Sequence, residues 1–165
     1  MKKLLVLSTA LASCSPAYAA ETPITGNVQT RCLITTDTNG VFGNPTPSKL
    51  STASADGGVV PVVRYDVTLA DSYLAKVTTP TSFSSNPALT DAVTWTGSTA
   101  VTNTTDVGMA GYEAAKVVYG STTQYDLTVA GSTWFASEAS AVYGVNKSFP
   151  GGSYTAIILA ECIAK

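Results

Sequence analysis

Acidic side chains on two β-like segments are the strongest candidates for acid–base chemistry in this sequence. Asp66 and Asp126 each follow a tyrosine, and glycoside hydrolysis requires a pair of carboxylates. Both lie at outward positions of alternating segments, where a solvated aspartate is the ordinary role. The chain has no histidine, which excludes Ser-His-Asp and Cys-His nucleophiles and His-bearing zinc sites. We therefore expect a non-enzymatic protein without a catalytic or cofactor-binding site.

The segment 37–40, Asp-Thr-Asn-Gly, is similar to the start of a calcium-binding loop. Such a loop ends in a bidentate glutamate, but the corresponding position here is Ser48. Asn-Gly is also a strong turn signal. We therefore interpret this segment as a turn and expect no metal site.

The N-terminal segment 1–19 has the anatomy of a bacterial secretory signal. It combines a short positive start, an apolar run too short for a lasting membrane span, and a small-residue stretch before the cleavage point. Cleavage would leave one domain, 20–165, exported through the periplasm to the cell surface or the medium. Alternatively, residues 11–14 are a lipobox, and a lipid on Cys14 would make the protein an outer-membrane lipoprotein.

The two cysteines downstream of this segment are Cys32 and Cys162. In an oxidising compartment such a pair is expected to form a disulfide, with two buried free thiols as the alternative. The bond would close a loop of about 130 residues, for which the chain-entropy model gives about 5 kcal/mol. It would join the first and last strands of the domain.

Composition excludes several classes of partner. The chain has 9 Lys and Arg against 11 Asp and Glu, a net charge of −2, and no basic patch. We therefore expect neither nucleic acid nor an anionic membrane surface as a partner, and a membrane association only through lipid on Cys14. Abundant Ser, Thr, Gly and Val favour strands and turns with an uncharged surface.

Alternating apolar and polar residues predict an all-β domain. In the clearest case, 62–69, Val63, Tyr65, Val67 and Leu69 are predicted to face inward. The last predicted strand, 153–164, is apolar on both faces, which predicts that both faces are covered. Turn signals between the strands favour a single immunoglobulin-like β-sandwich, with a small barrel as the alternative. The other predicted strands are 26–35, 73–78, 92–96, 116–119, 125–130 and 140–145.

Three further features of the sequence add detail to the predicted fold: a long loop, a short helix and a repeat. Residues 36–55 indicate a long loop, and a turn or two of helix is expected near 111–115 or 137–141. The pattern Tyr-Asp-x-Thr-x-Ala occurs at both 65–70 and 125–130. This repeat indicates either two equivalent strands in facing sheets or the ordinary composition of half-buried strands.

Several aromatic residues are compatible with a sugar-stacking surface. Core packing accounts for them equally well, and the sequence does not indicate whether they share a face. The residues concerned are Tyr73, Trp95, Tyr119, Trp134, Phe135 and Tyr143.

Short motifs at the two ends of the chain carry a family resemblance. The segment 24–35 alternates around Cys32 and is followed, after a turn, by a Phe-Gly element within 40–45. At the other end, 150–155 introduces the terminal apolar strand. These ends resemble chaperone–usher pilin subunits, particularly the spore-coat-U-like branch.

The resemblance implies an immunoglobulin-like sandwich that lacks one strand. A neighbouring subunit's N-terminal segment would fill the resulting groove by strand addition. The implied protein is a structural subunit of a surface fibre (a pilus or fimbria) or an extracellular matrix. Its partners would be further copies of itself, a periplasmic chaperone and an outer-membrane usher. The implied assembly residues are Ile24 and Val28 in the donor segment, and Tyr154, Ile157, Ile158 and Leu159 in the accepting region.

A complete sandwich, closed by its own last strand, is the alternative to that assembly. Such a domain would not polymerise. It would instead be a monomeric binding module for glycan or protein, either secreted or held by lipid at Cys14.

Overall fold

The computed structural model describes Thr25 and residues 31–165 of the chain. The signal segment, Cys14, Ile24 and Val28 therefore lie outside the described residues. None of the helices in this part of the chain is long and apolar enough to cross a membrane. The described strands and helix are β1 (Cys32–Thr38), β2 (Gly43–Thr46), β3 (Lys49–Ser51), β4 (Val62–Val67), β5 (Tyr73–Thr78), β6 (Val93–Thr104), α1 (Tyr112–Ala115), β7 (Val117–Tyr119), β8 (Thr122–Leu127), β9 (Gly131–Tyr143) and β10 (Leu159–Ala164), with 3₁₀ helices at Ser54–Asp56 and Val107–Gly111.

The first sheet is built around the long strand β9. One side of β9 pairs with β6, and its other side pairs with β4 and then with β3. β1 extends the sheet beyond β4, and β2 extends it beyond β3, with every pairing antiparallel. Buried and less buried residues alternate along β4 and β9, because successive side chains of a strand point to opposite faces.

The second sheet contains four antiparallel strands in the order β10-β5-β8-β7. A two-residue turn, Gly120-Ser121, joins β7 to β8, because Tyr119 pairs with Thr122. Gly120 has φ of 58°, a left-handed conformation that hairpin turns require and that glycine adopts readily. The two sheets form an all-β sandwich, which confirms the predicted fold class.

The core centres on two tyrosines that contact one phenylalanine. Tyr65 of β4 and Tyr125 of β8 are almost fully buried, and their ring centroids lie 5.3 and 4.5 Å from that of Phe135 in β9. Tyr65 and Tyr125 are the first residues of the two repeat copies. The repeat therefore occupies strands of facing sheets, and inward alternation explains which of its residues are apolar.

Cys32 of β1 and Cys162 of β10 form a disulfide, as predicted, with 6.4 Å between their Cα atoms. β1 is an end strand of the first sheet, and β10 is an end strand of the second. The bond therefore joins the two layers along one side of the sandwich.

Several predicted boundaries were wrong. The expected loop 36–55 contains the end of β1, the short strands β2 and β3, and a 3₁₀ helix. β2 and β3 have four and three residues, which is too few for alternation to be recognised. β6 and β9 are much longer than the predicted 92–96 and 140–145, because their polar Ser- and Thr-rich parts are also paired. The helix lies near 111–115, whereas 137–141 belongs to β9.

The last strand also differs from its prediction. Regular pairing begins only at Leu159, and the preceding residues 153–158 take part in one isolated bridge, between Thr155 and Ser85. Ala160 and Cys162 pack against the core, but Leu159 and Ile163 are 51% and 40% exposed. The expectation that both faces are covered was therefore wrong, because the described residues form two layers and nothing packs on the outer face of the sheet that contains β10.

Candidate functional site

The principal candidate site lies between the edge strands of the two sheets. Among the described strands, β1 pairs only with β4, and β10 pairs only with β5. Cys32, at the start of β1, is bonded to Cys162, near the end of β10. Thr36 and Thr38, farther along β1, line a cavity together with Ile158, which precedes β10. The two edges therefore run in opposite directions, and the disulfide joins them at one end.

Two adjoining cavities open at the other end of these strands, and together we call them the edge groove. Their volumes are about 270 and 420 Å³, and Gly40, Phe42 and Ala156 line both. Val63 and Ala139, which are buried, line the first cavity. The edge groove therefore reaches from the surface to the interior of the sandwich.

Every residue that lines the edge groove is uncharged. An ion in such a lining would lose hydration without gaining a charged partner, whereas an apolar side chain would bury surface. On one side the edge of β1 presents main-chain groups that can hydrogen-bond to an added extended segment, and on the other side the groove is lined by the segment that leads into β10. The edge groove is therefore suited to binding a peptide segment with apolar side chains.

The structure brings together three of the four residues predicted for the accepting region. Ile157 and Ile158 line the first cavity, and Tyr154 lines the second. Ile157 is 64% exposed, whereas Ile158 packs against the core cluster. Leu159 does not line the edge groove; it begins β10 and faces outward.

A cluster of aromatic rings supports one wall of the edge groove. Phe83 lies at its centre, with its ring centroid 5.1 Å from that of Tyr154 and 6.1 Å from that of Phe42. The Tyr154 hydroxyl donates to the Pro150 carbonyl oxygen at 2.7 Å, and burial raises the pKa of this phenol. Sequence reasoning missed Phe83 and Phe149, because single aromatic residues in separate loops carry no periodic signal.

The aromatic residues proposed for sugar stacking do not share one face. Phe135 and Tyr143 are buried, Tyr119 on β7 is exposed, and Tyr73 packs against the core. Trp134 lies on the outer face of the first sheet. Trp95 belongs to the aromatic cluster, with its ring centroid 4.7 Å from that of Phe83. Tyr143 stacks on the loop residue Phe149, with 5.2 Å between the ring centroids, so Trp95 and Tyr143 are the two that lie beside the loop aromatics.

Trp134 belongs to a polar surface cluster. The Arg64 guanidinium lies 5.8 Å from the Trp134 ring centroid, and the Trp134 indole N–H donates to Asp37. An Arg64 nitrogen is also 3.6 Å from an Asp37 oxygen. Asp37 and Thr38 belong to β1, so the prediction that the whole segment 37–40 is a turn was wrong, and Asp37 contacts residues of the neighbouring strands.

The two candidate catalytic carboxylates are separated by the sandwich. Asp66, on the outer face of the first sheet, accepts from Arg64 Nε at 3.0 Å. Asp126, on the outer face of the second sheet, pairs with the Lys165 ammonium at 2.5 Å. Hydrogen bonds to Asp126 and then Asp71 raise the pKa of Lys165. Each aspartate thus has its own cationic partner, and the two do not face a common cavity.

Glu113 of α1 lies beside a buried tyrosine, with one carboxylate oxygen 3.5 Å from the Tyr125 hydroxyl. Its burial acts to raise the pKa, but hydrogen bonds from Lys116 and the Val101 N–H outweigh this effect and leave the pKa of Glu113 lowered. The Tyr125 hydroxyl lies close by and donates to the Thr99 carbonyl oxygen at 2.9 Å. Burial raises the pKa of Tyr125, so this phenol acts as a hydrogen-bond donor that fastens β8 to β6.

The acidic side chains described above form local ion pairs, and the edge groove has an uncharged lining. In the part of the chain that the structure describes, no three His, Cys, Asp or Glu side chains are grouped so that they could hold a metal ion. The edge groove is the feature in which predicted assembly residues meet. Comparison with known proteins found no matching family model, no similar curated protein and no similar solved structure.

Proposed function

We propose that this protein is a non-enzymatic structural subunit of a bacterial surface fibre or extracellular matrix, and that its subunits assemble by β-strand addition. The observation that carries the proposal is the edge groove between β1 and the segment that leads into β10. It lies where two edge strands of different sheets approach each other, and its lining is uncharged. An added strand would cover both edges at once.

Main-chain hydrogen bonding supports this role. An exposed strand edge presents N–H and C=O groups that pair readily with another extended chain, and isolated edges of this kind promote aggregation. A donor strand in the edge groove would satisfy such groups on β1 and along 153–158, apart from Thr155, whose N–H and C=O already hydrogen-bond to Ser85. This pairing would supply affinity, while the side chains that enter the cavities would set the register.

The donor segment proposed from the sequence contains Ile24 and Val28. Residues four apart in an extended strand point to the same face and are separated by about 13 Å. Two apolar side chains on one face match two adjoining cavities, each of which can take one. Pro23 precedes Ile24 and cannot donate to a ladder, so productive pairing would begin after it.

Delivery to the surface would follow from the predicted signal segment and from the resemblance to pilin subunits. A periplasmic chaperone would cover the edge groove before assembly, and an outer-membrane usher would exchange that cover for the next subunit's donor segment. The competing function is a monomeric binding module, secreted or lipid-anchored. In that case no donor segment of another subunit would enter the edge groove.

The experiment that tests the proposal uses material sheared from the producing cells. Samples are run on a denaturing gel with and without boiling and are imaged by negative stain. We expect a ladder of multimers that collapses on boiling, together with filaments, because strand-exchanged subunits separate only when the sandwich unfolds. A single band near the mature mass in both samples, without filaments, would contradict the proposal. Lipid found on Cys14 by N-terminal mass spectrometry would favour the monomeric module.

A further inference from the structure

The long connection between β5 and β6, residues 79–92, carries a second candidate binding surface. Its Phe83 packs against Trp95 of β6, with 4.7 Å between the ring centroids and 65° between the ring planes. The backbone of this connection is held in place by hydrogen bonds between Ser85 and Thr155 in both directions. The aromatic pair is therefore fixed by the fold.

Trp95 lines two cavities. One, of about 260 Å³, lies toward the loop and includes Phe83, Ser82 and Asn86. The other, of about 360 Å³, lies toward the β7–β8 turn and includes Thr96 and Ser121. Thr81 lines both cavities. Small-molecule sites begin at about 300 Å³, so each cavity is suited to one small ring rather than to an extended ligand.

The indole N–H of Trp95 is available to a ligand. It donates to no group in the described part of the chain, and no buried side-chain nitrogen there is left without a partner, so the Trp95 N–H is accessible to solvent. The equivalent N–H of Trp134 instead donates to Asp37. A tryptophan N–H is a donor only, so an available one favours a ligand that carries oxygen acceptors. Thr81, Ser82 and Asn86 are exposed and place hydroxyl and amide groups around the same rings.

All residues lining the two cavities are uncharged. A charged ligand would therefore find no complementary charge, while a ligand with a flat apolar face and peripheral hydroxyls would match both the rings and the polar rim. We infer that the surface formed by Trp95, Phe83 and Thr81 is a binding subsite for a neutral pyranose unit of a saccharide. This inference is independent of assembly through the edge groove.

The test is a titration of the mature full-length chain with defined sugars. The probes are glucose, galactose, mannose and N-acetylglucosamine with their short oligomers, and N-acetylneuraminic acid serves as the anionic comparison. Binding is followed by saturation-transfer NMR and by tryptophan fluorescence, up to about 20 mM, well above a weak Kd of about 1 mM. We expect saturable binding of at least one neutral sugar and no stronger binding of the anionic one.

Three variants locate the site. Trp95→Phe keeps an aromatic ring but removes the N–H, and we expect it to weaken binding about tenfold. Thr81→Val, at an exposed position, should weaken binding without disturbing the aromatic cluster. Trp134→Phe makes the same chemical change on the outer face of the first sheet, and we expect it to leave the affinity unchanged.

Near-ultraviolet circular dichroism establishes that each variant is folded. If Trp95→Phe does not fold, Thr81→Val against Trp134→Phe decides the question. The proposal is overturned if no neutral sugar gives a saturable signal. It is equally overturned if the Trp95 and Thr81 variants bind as the original chain does, or if only Trp134→Phe loses binding.

Discussion

Cys32 and Cys162 connect the edge strands of opposite sheets, with 6.4 Å between their Cα atoms and 130 positions between them in the sequence. The edge groove opens between the same strands at their other end. A link over such a long loop restricts the unfolded chain strongly, and removal of a native disulfide commonly costs about 2–5 kcal/mol. The bond therefore stabilises the sandwich. It also holds β1 and β10 together at the end opposite the edge groove.

We predict that replacing both cysteines with serine lowers the free energy of unfolding by about 2–5 kcal/mol. Urea unfolding of the mature chain, with and without a reductant, measures this change. The reductant should shift the midpoint of the original chain but not that of Cys32→Ser/Cys162→Ser. If the original chain and the double variant had equal midpoints in the absence of reductant, the prediction would be contradicted.

Tyr65 holds β10 against the rest of the sandwich. Its hydroxyl lies 3.0 Å from the Lys76 carbonyl oxygen in β5 and 3.2 Å from the Glu161 carbonyl oxygen in β10, and burial raises the pKa of this phenol. We predict that Tyr65→Phe costs about 1–3 kcal/mol, because it leaves these acceptors without their donor. Tyr119→Phe is the matched control at a position that is 65% exposed, and it should be nearly neutral in the same urea titration. Equal effects of the two changes would contradict the assigned role of Tyr65.

Gly43 lies against the backbone of the 3₁₀ turn that follows β3. A Cβ at Gly43 would lie 2.2 Å from the Asp56 carbonyl oxygen and 2.7 Å from the Gly58 nitrogen. Since these are main-chain atoms, Gly43→Ala should destabilise by about 1–3 kcal/mol. At Gly151 an added Cβ meets no non-adjacent described atom within 4 Å, so Gly151→Ala should change stability by less than about 0.5 kcal/mol. Thermal melting of both variants tests the difference.

The ion pair between Lys49 and Asp56 predicts a pH dependence. The Lys49 ammonium donates to the Asp56 carboxylate at 2.6 Å, and this bond holds the pKa of Asp56 below its ordinary value of 3.8. The stabilisation is therefore complete above the unfolded-state pKa and is lost as the pH falls through the lower folded-state value.

We predict that Asp56→Asn is less stable than the original chain at pH 7 and that this difference disappears by about pH 2. Urea unfolding at several pH values measures the difference. Glu138→Gln, which removes one negative charge at an exposed position of β9, is the matched control for the change in net charge. A difference between Asp56→Asn and the original chain that persists unchanged at low pH would contradict the ion-pair explanation.

We expect assembly to depend on apolar side chains at the edge groove and not on exposed apolar side chains elsewhere on the surface. Ile157 is 64% exposed beside the groove, and Val118 is 57% exposed on β7, at the opposite edge of the second sheet. Aspartate at either exposed position should leave the fold intact. We predict that Ile157→Asp abolishes the boil-sensitive ladder and that Val118→Asp retains it. Loss of the ladder in both variants, or in neither, would contradict assembly through the groove.

Much of the fold could be predicted because its signals are local. Alternation placed Tyr65 inward and both Asp66 and Asp126 outward, but it left open which sheet each of these strands joins. Predictions failed where this pattern is weak: β2 and β3 are too short to show it, and the polar halves of β6 and β9 are held by pairing with neighbours. The final strand was predicted too long, because an apolar run does not show where its partner strand ends.

Residue types and their order were enough to establish the strand-rich character of the chain, the cysteines available for pairing, the exclusion of histidine-based chemistry and the apolar composition of the terminal segment. The packing of the two sheets, by contrast, makes β1 and β10 edges of different sheets and places the disulfide at one end of these two strands. It also brings Phe42, Phe83, Trp95 and Tyr154 into one aromatic cluster. Composition and alternation depend on each residue and its near neighbours. The groove and the cluster depend on contacts between residues far apart in the chain, which form only when the two sheets pack.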